Sequence, residues 1–170
     1  MVKISDRLKT AASLIREGAV LADVGTDHGY VPIYLLEQKK IKSAIAMDIN
    51  KGPLERAREH IHLYGMDAYI QTRLSDGVAA LEKGEADSIL VAGMGGGLVM
   101  HILEEGKDIC QAAGELILHP AGKAALPAAV QQCAHAERRK LCGLAVFQLE
   151  LRALGPHNID EGEPEQQHGA

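Results

Sequence analysis

Asp23 and Asp27 flank Gly25 in the stretch LADVGTDHGYVP (residues 21–32), with Thr26, His28, Gly29 and Tyr30 beside them. A structural turn needs the glycines, which accept left-handed backbone, but not two carboxylates and an imidazole. Three more polar or glycine-rich clusters follow: Asp48–Ile49, 25 residues after Asp23; SDG at Ser75–Gly77; and AGMGGG at Ala92–Gly97. An acid 25 residues beyond the first loop can accept hydrogen bonds from both hydroxyls of a ribose. An aspartate such as Asp76 can meet an adenine amino group. Each cluster alone is compatible with ordinary turn or capping chemistry. Their joint placement, at the ends of consecutive apolar segments, is not.

The type of nucleotide follows from what the first loop lacks. A dinucleotide fingerprint, G-x-G-x-x-G, seats a diphosphate on a helix N-terminus. Here Gly25 is followed by Thr26 and Asp27, so the second glycine is missing and a carboxylate would face the diphosphate. A cationic cofactor without phosphates suits the loop better. S-adenosylmethionine, with its ribose, adenine, amino acid and sulfonium, fits that description.

The elements that must position these clusters alternate. Apolar residues at helical spacing over 4–17, with Ser5 as N-cap, predict a helix. Strands are expected at 19–24, 42–49, 69–74, 87–93 and 115–120. Between them the pattern predicts helices at about 29–38, with Pro32 in the first turn, at 53–64, at 77–83 (GVAALEK) and at 97–110. Five short apolar strands alternating with helices imply an α/β fold, a parallel sheet with helices on both faces. In such sheets ligands bind beyond the carboxyl ends of the strands, where all four clusters fall.

At 170 residues and 46% hydrophobic, the chain can build one domain with a real core. With no Trp and one Phe, that core must be aliphatic. The formal charge is −5, but Asp160, Glu161, Glu163 and Glu165 sit in a tail over 158–170 that is expected to be disordered. Without them the balance is near neutral, and Lys3, Arg7, Lys9 and Arg16 gather on the first segment. Cys110, Cys133 and Cys142 form no CxxC pair, so no metal is expected. The first residues show no uninterrupted apolar run of a secretory signal, and the longest uncharged run, 89–103, is too short and glycine-rich to cross a membrane. The expected compartment is the cytoplasm.

The segments ISDRLKTAASLI, LADVGTDHGYVP, NKGPLERA, RLSDGVAAL and ILVAGMGGGLVMHILEEG resemble, in order and spacing, the bacterial family of tRNA (adenine22-N1)-methyltransferases. The resemblance covers about residues 1–120. It implies a Rossmann-like class I methyltransferase fold, S-adenosylmethionine as cofactor and tRNA as substrate, methylated at N1 of an adenine. By motif position, Asp23 and Gly25 would line the methionine part, Asp48 would bind the ribose, and Asp76 with Gly77 would flank the adenine. Thr26 and Ile49 are assigned to the same cofactor site. Gly93, Met94, Gly95 and Gly96 would form the floor between cofactor and target base, with Gly96 on the substrate side. Arg7 matches an arginine of the family's leading helix and is assigned to the substrate.

Adenine N1 carries a lone pair and needs no covalent enzyme nucleophile, so catalysis is expected to rest on positioning. The product is cationic, and Asp27 is the candidate to stabilise that charge. His28 and Tyr30 would orient or stack on the base, which must leave any pair or stack to be reached.

After residue 120 the resemblance ends. Residues 121–157 form an atypical segment with one plausible strand, 143–151, and the basic run Arg138–Lys140. A truncation or an altered reading frame near residue 120 is the expectation. Two alternatives stay open: a remnant that binds S-adenosylmethionine or RNA without turnover, and an NAD-binding Rossmann protein.

Overall fold

The structure, a computed structural model, describes residues 1–119 and 145–147. Cys133, Cys142, the Arg138–Lys140 run and the acidic tail lie outside the described residues. The chain runs α1 (Asp6–Leu14), β1 (Ala19–Val24), α2 (Tyr30–Glu37), β2 (Ile41–Asp48), α3 (Lys51–Leu63), β3 (Ile70–Leu74), β4 (Ser88–Ala92), α4 (Gly96–Glu105), α5 (Lys107–Ala112), β5 (Glu115–His119) and β6 (Ala145–Phe147). The strands form one sheet in the order β3-β2-β1-β4-β5-β6. The first five are parallel, as expected. The strand foreseen at 143–151 is the short β6, and it joins β5 antiparallel.

Strand β1 is central because nearly every residue of AVLADV is buried, which a strand covered on both faces requires. Its alternation divides the core. Ala19 and Leu21 join Ala11 and Ala12 of α1, Ile15 at its C-cap, Ile33 and Leu35 of α2, and Ala57 and Ile61 of α3. Ala22 and Val24 face the other way, onto Val78, Leu81, Val99 and Ile102. None of Tyr30, Tyr34, Tyr64 and Tyr69 is fully buried, and the aliphatic core expected from the composition is what forms. Each fully buried Leu or Ile, such as Leu21, Ile33 and Ile117, contributes about 1.5–3 kcal/mol.

Helix α1 starts where Ser5 caps it, its Oγ accepting the Leu8 N–H at 3.3 Å. Helix α3 opens at Lys51, ahead of Pro53, which sits in the first turn where its missing N–H is no loss. Two helix expectations are corrected. Residues 77–80 are turns, not a helix. Gly77 takes φ +52°, and Ser75 Oγ captures the Ala80 N–H at 3.0 Å while donating to the Gly77 carbonyl at 2.9 Å. Side-chain bonds of this kind compete with a helical ladder. The helix expected over 97–110 divides at Gly106 into α4 and α5.

Candidate functional site

The order β3-β2-β1-β4 sets the four clusters side by side along the carboxyl ends of adjacent strands. Chain direction reverses its progress across the sheet between β1 and β4, the switch point where such sheets take ligands. At that point the Gly25 backbone is gripped by β2: the Gly25 and Thr26 N–H groups both donate to the Met47 carbonyl, at 2.8 and 2.9 Å. Gly25 has φ +73°, and the space a Cβ would fill is taken by the Met94 methyl, 2.2 Å from that position. The loops after β1 and β4 therefore touch. Beyond them the surface opens: nothing lies within 4 Å of where a Cβ would stand on Gly93, Gly95 or Gly97.

Asp23, the penultimate residue of β1, is 4% exposed and accepts the Thr26 hydroxyl at 2.6 Å. Burial pushes its carboxyl up to about 6; the Thr26 bond pulls it down and the charge of Asp48 adds to the rise. Asp48, last in β2, accepts the Asn50 N–H through Oδ1 at 2.8 Å. Ile49 follows it with 59% of its surface exposed. Leu74 and Leu98, leaving β3 and entering α4, are also half exposed. Asp76 is exposed, and Gly77 packs toward Ile102 of α4.

Asp27 has φ +52°, a left-handed geometry that few non-glycine residues adopt, Asp among them. Its carboxylate is exposed, with Oδ2 3.5 Å from His28 Nε2 and Oδ1 3.8 Å from Arg56 Nη2. The rings of His28 and Tyr30 stack, 5.3 Å between centroids and 15° between planes. His28 Nδ1 is buried without a hydrogen-bond partner among the described residues.

Arg7 is exposed on α1 and acts on His119 at the end of β5, whose carbonyl accepts the Gly93 N–H at 2.8 Å. There its charge adds to burial in pushing the His119 imidazole down, and His119 Nδ1 likewise lacks a partner among the described residues. The basic group expected on the first segment is partly spoken for. Lys9 pairs with Asp6 at 2.9 Å and Arg16 with Asp87 at 3.4 Å, whereas Lys3 and Arg7 have no ion-pair partner among the described residues.

Arg56, His60 and His119 carried no signal in the sequence; only tertiary placement brings them to this end of the sheet. Among the described residues no group of three or more His, Cys, Asp or Glu is placed to hold a metal ion, and no helix is long and apolar enough to cross a membrane. Cys110 is buried, its thiol pushed up to about 11 by that burial. A groove of about 520 Å³ lies elsewhere, along β2 and β3 among Ser43, Ile45, Tyr69, Gln71 and Glu85, and none of the cluster residues line it.

A doubly wound sheet with carboxylates and a glycine loop at four neighbouring strand ends defines a Rossmann-like fold of the kind that takes ligands at those ends. The chain belongs to the methyltransferase domain family, whose model matches residues 4–138. Over 119 residues it is 45% identical to the tRNA (adenine(22)-N(1))-methyltransferase of Bacillus subtilis, a match covering 70% of this chain and 50% of that protein. The crystal structure of the B. subtilis M1A22 tRNA methyltransferase TrmK is similar with a TM-score of 0.68, 45% identity, and coverage of 71% of this chain and 51% of that one. Streptococcus pneumoniae Sp1610, solved in complex with S-adenosyl-L-methionine, gives a TM-score of 0.74 at 36% identity, with 89% and 77% covered. The chain thus spans about half the length of the curated relative it matches.

Proposed function

We propose that this chain is a tRNA methyltransferase that uses S-adenosylmethionine to methylate N1 of an adenine, the adenine at position 22 by likeness to the B. subtilis relative. The observation that carries this reading is the side-by-side placement of Asp23, Asp48, Asp76 and the Gly93–Gly96 loop, all within the residues 4–138 that the methyltransferase family model matches. The residues fit the cofactor. Half-exposed Ile49 offers an apolar face to an adenine, and the second oxygen of Asp48 is free of hydrogen bonds among the described residues. Buried Asp23 matches a cationic amino group, which would offset the cost of ionising it. Thr26 and Gly25 keep that carboxylate and the crevice in place, and Asp76 with Gly77 closes the adenine end.

When bound, S-adenosylmethionine supplies an electrophilic methyl group on a sulfonium. The chain's own residues then have three tasks. Gly93 and Gly95, with nothing within 4 Å of an added Cβ, leave open space where a flipped base can approach the cofactor, and Met94 and Gly96 complete that loop. The stacked His28 and Tyr30 rings offer a flat surface to orient that base. Asp27 sets a carboxylate at the same rim, where it can stabilise positive charge developing on the adenine ring as N1 gains its fourth bond. Arg7 and Lys3, unpaired among the described residues, are available to tRNA phosphates. A tRNA substrate would place the protein in the cytoplasm, with residues 1–120 as its methyltransferase core.

Transfer of labelled methyl to unmodified tRNA, with nucleoside analysis of the product, tests the reading. Asp27→Ala should lower kcat by about 100-fold while S-adenosylmethionine affinity changes little. Cofactor binding without any methyl transfer by the unaltered chain would point instead to a binding protein without turnover.

A further inference from the structure

The loop over residues 25–29 leans on one face of α3, and its proposed chemistry does not account for what that face carries. Arg56, Ala57 and His60 share the face. Arg56 reaches Asp27 at 3.8 Å. Ala57 underlies Gly29, where an added Cβ would stand 3.4 Å from the Ala57 Cβ.

His60 makes two polar contacts. Its Nδ1 lies 3.0 Å from the His28 carbonyl oxygen and its Nε2 lies 3.4 Å from the Tyr30 hydroxyl. A carbonyl only accepts, so Nδ1 bears the hydrogen and Nε2 faces the Tyr30 hydroxyl. The His60 ring also stacks on Tyr30, 4.7 Å between centroids at 22°, and tilts against His28 at 5.5 Å. His60 therefore ties the backbone at His28 to the side chain of Tyr30. The neighbouring His62, two residues on, is exposed, and its ring lies 3.2 Å from Asp67 near the helix end.

We propose that His60 is a positioning residue: it holds the rings of His28 and Tyr30, and the backbone that carries Asp27, in register with the target base without touching that base itself. This rests on the methyl-transfer reading of the same site. It also accounts for a left-handed Asp27, a conformation that persists only when its surroundings over-determine it.

Three variants separate the contacts. His60→Leu removes both polar contacts and keeps a strong helix former. His60→Asn places an amide nitrogen where Nδ1 stands and so retains the bond to the His28 carbonyl. His60→Gln reaches the Tyr30 hydroxyl instead. In the full chain, His60→Leu should lower kcat ten- to hundredfold, roughly the effect of misplacing reacting groups by about 1 Å, with S-adenosylmethionine affinity within about twofold of the unaltered protein. His60→Asn should recover most of the loss.

Hydrogen exchange gives a readout independent of turnover. The Gly29 amide, which donates to the Thr26 carbonyl at 3.0 Å, should exchange about tenfold faster in His60→Leu and return toward the parent rate in His60→Asn, while β1 amides stay unchanged. Unchanged exchange and unchanged kcat in His60→Leu would overturn the proposal. So would a fall in cofactor affinity that matches the fall in kcat. If the parent chain methylates no adenine, the reading of the site fails, and exchange at Gly29 still decides whether His60 holds the loop.

Discussion

Asp23 shows how far one buried carboxyl can set the conditions under which the site works. Among its neighbours only the Thr26 hydroxyl opposes the cost of desolvation, and the ordinary value of 3.8 rises to about 6. Between these two values the folded chain binds a proton that the unfolded chain has lost. The stability contributed by the protonated carboxyl is thus complete below 3.8 and disappears as pH climbs through about 6. Asp23→Asn has no such proton, and its amide oxygen can still accept the Thr26 hydroxyl. Relative to the parent, the variant should gain roughly 2.5 kcal/mol of stability on going from pH 4 to pH 7.5, read by urea titrations at both values. A difference that stays flat with pH would mean that folding does not raise the Asp23 carboxyl. The same variant should bind S-adenosylmethionine at least about tenfold more weakly, because a buried charge that meets a cation is worth more than a neutral amide there.

At the scale of elements, the turn after β3 and the break between α4 and α5 are one feature. Gly106 sits between the two helices with φ −96°, and a Cβ on it would stand 2.1 Å from a methyl of Val78 and 2.8 Å from the Ile102 carbonyl oxygen. Val78 is 1% exposed and cannot swing aside. Gly106→Ala should therefore destabilise the fold by about 1–3 kcal/mol through overpacking, despite the better helix propensity of alanine; a urea midpoint equal to the parent's would refute this. The same contacts explain what the sequence could and could not disclose. The limits of the five parallel strands were legible to within one or two residues because apolar runs such as AVLADV and SILVA end abruptly at Gly25 and Gly93. The stretch GVAALEK reads as helix by composition, yet Ser75, Gly77 and the Val78–Gly106 contact impose turns, and two of those three causes are side-chain or tertiary contacts. His60 was silent for a related reason: a lone histidine on a helix signals nothing until α3 is laid against the loop of β1. The antiparallel sense of β6 likewise follows from pairing with β5, which periodicity does not encode.

For the whole molecule, every residue assigned to the cofactor lies between Asp23 and Gly95, at or just beyond the carboxyl ends of four adjacent strands of one sheet. Cofactor binding should consequently be a property of the described core, coupled to its global unfolding. A ligand at 100 times its Kd adds about 2.7 kcal/mol to stability, which for a chain of this size corresponds to a rise in Tm of about 5–10 °C. S-adenosylmethionine should produce such a rise in the intact protein. NAD should not: the second glycine of the dinucleotide fingerprint is absent, and the Asp27 carboxylate stands at the loop, only partly countered by Arg56 at 3.8 Å. Thermal unfolding with each compound separates the readings. A shift with NAD alone would overturn the methyl-transfer proposal in favour of hydride chemistry at the same strand ends. A shift with neither would mean that the crevice between β1 and β4, where the Met94 methyl crowds Gly25, does not accept a nucleotide in this chain. A shift with S-adenosylmethionine alone would leave the tRNA as the partner to be tested, since the carboxylates proposed to recognise the cofactor say nothing about which adenine is presented to it.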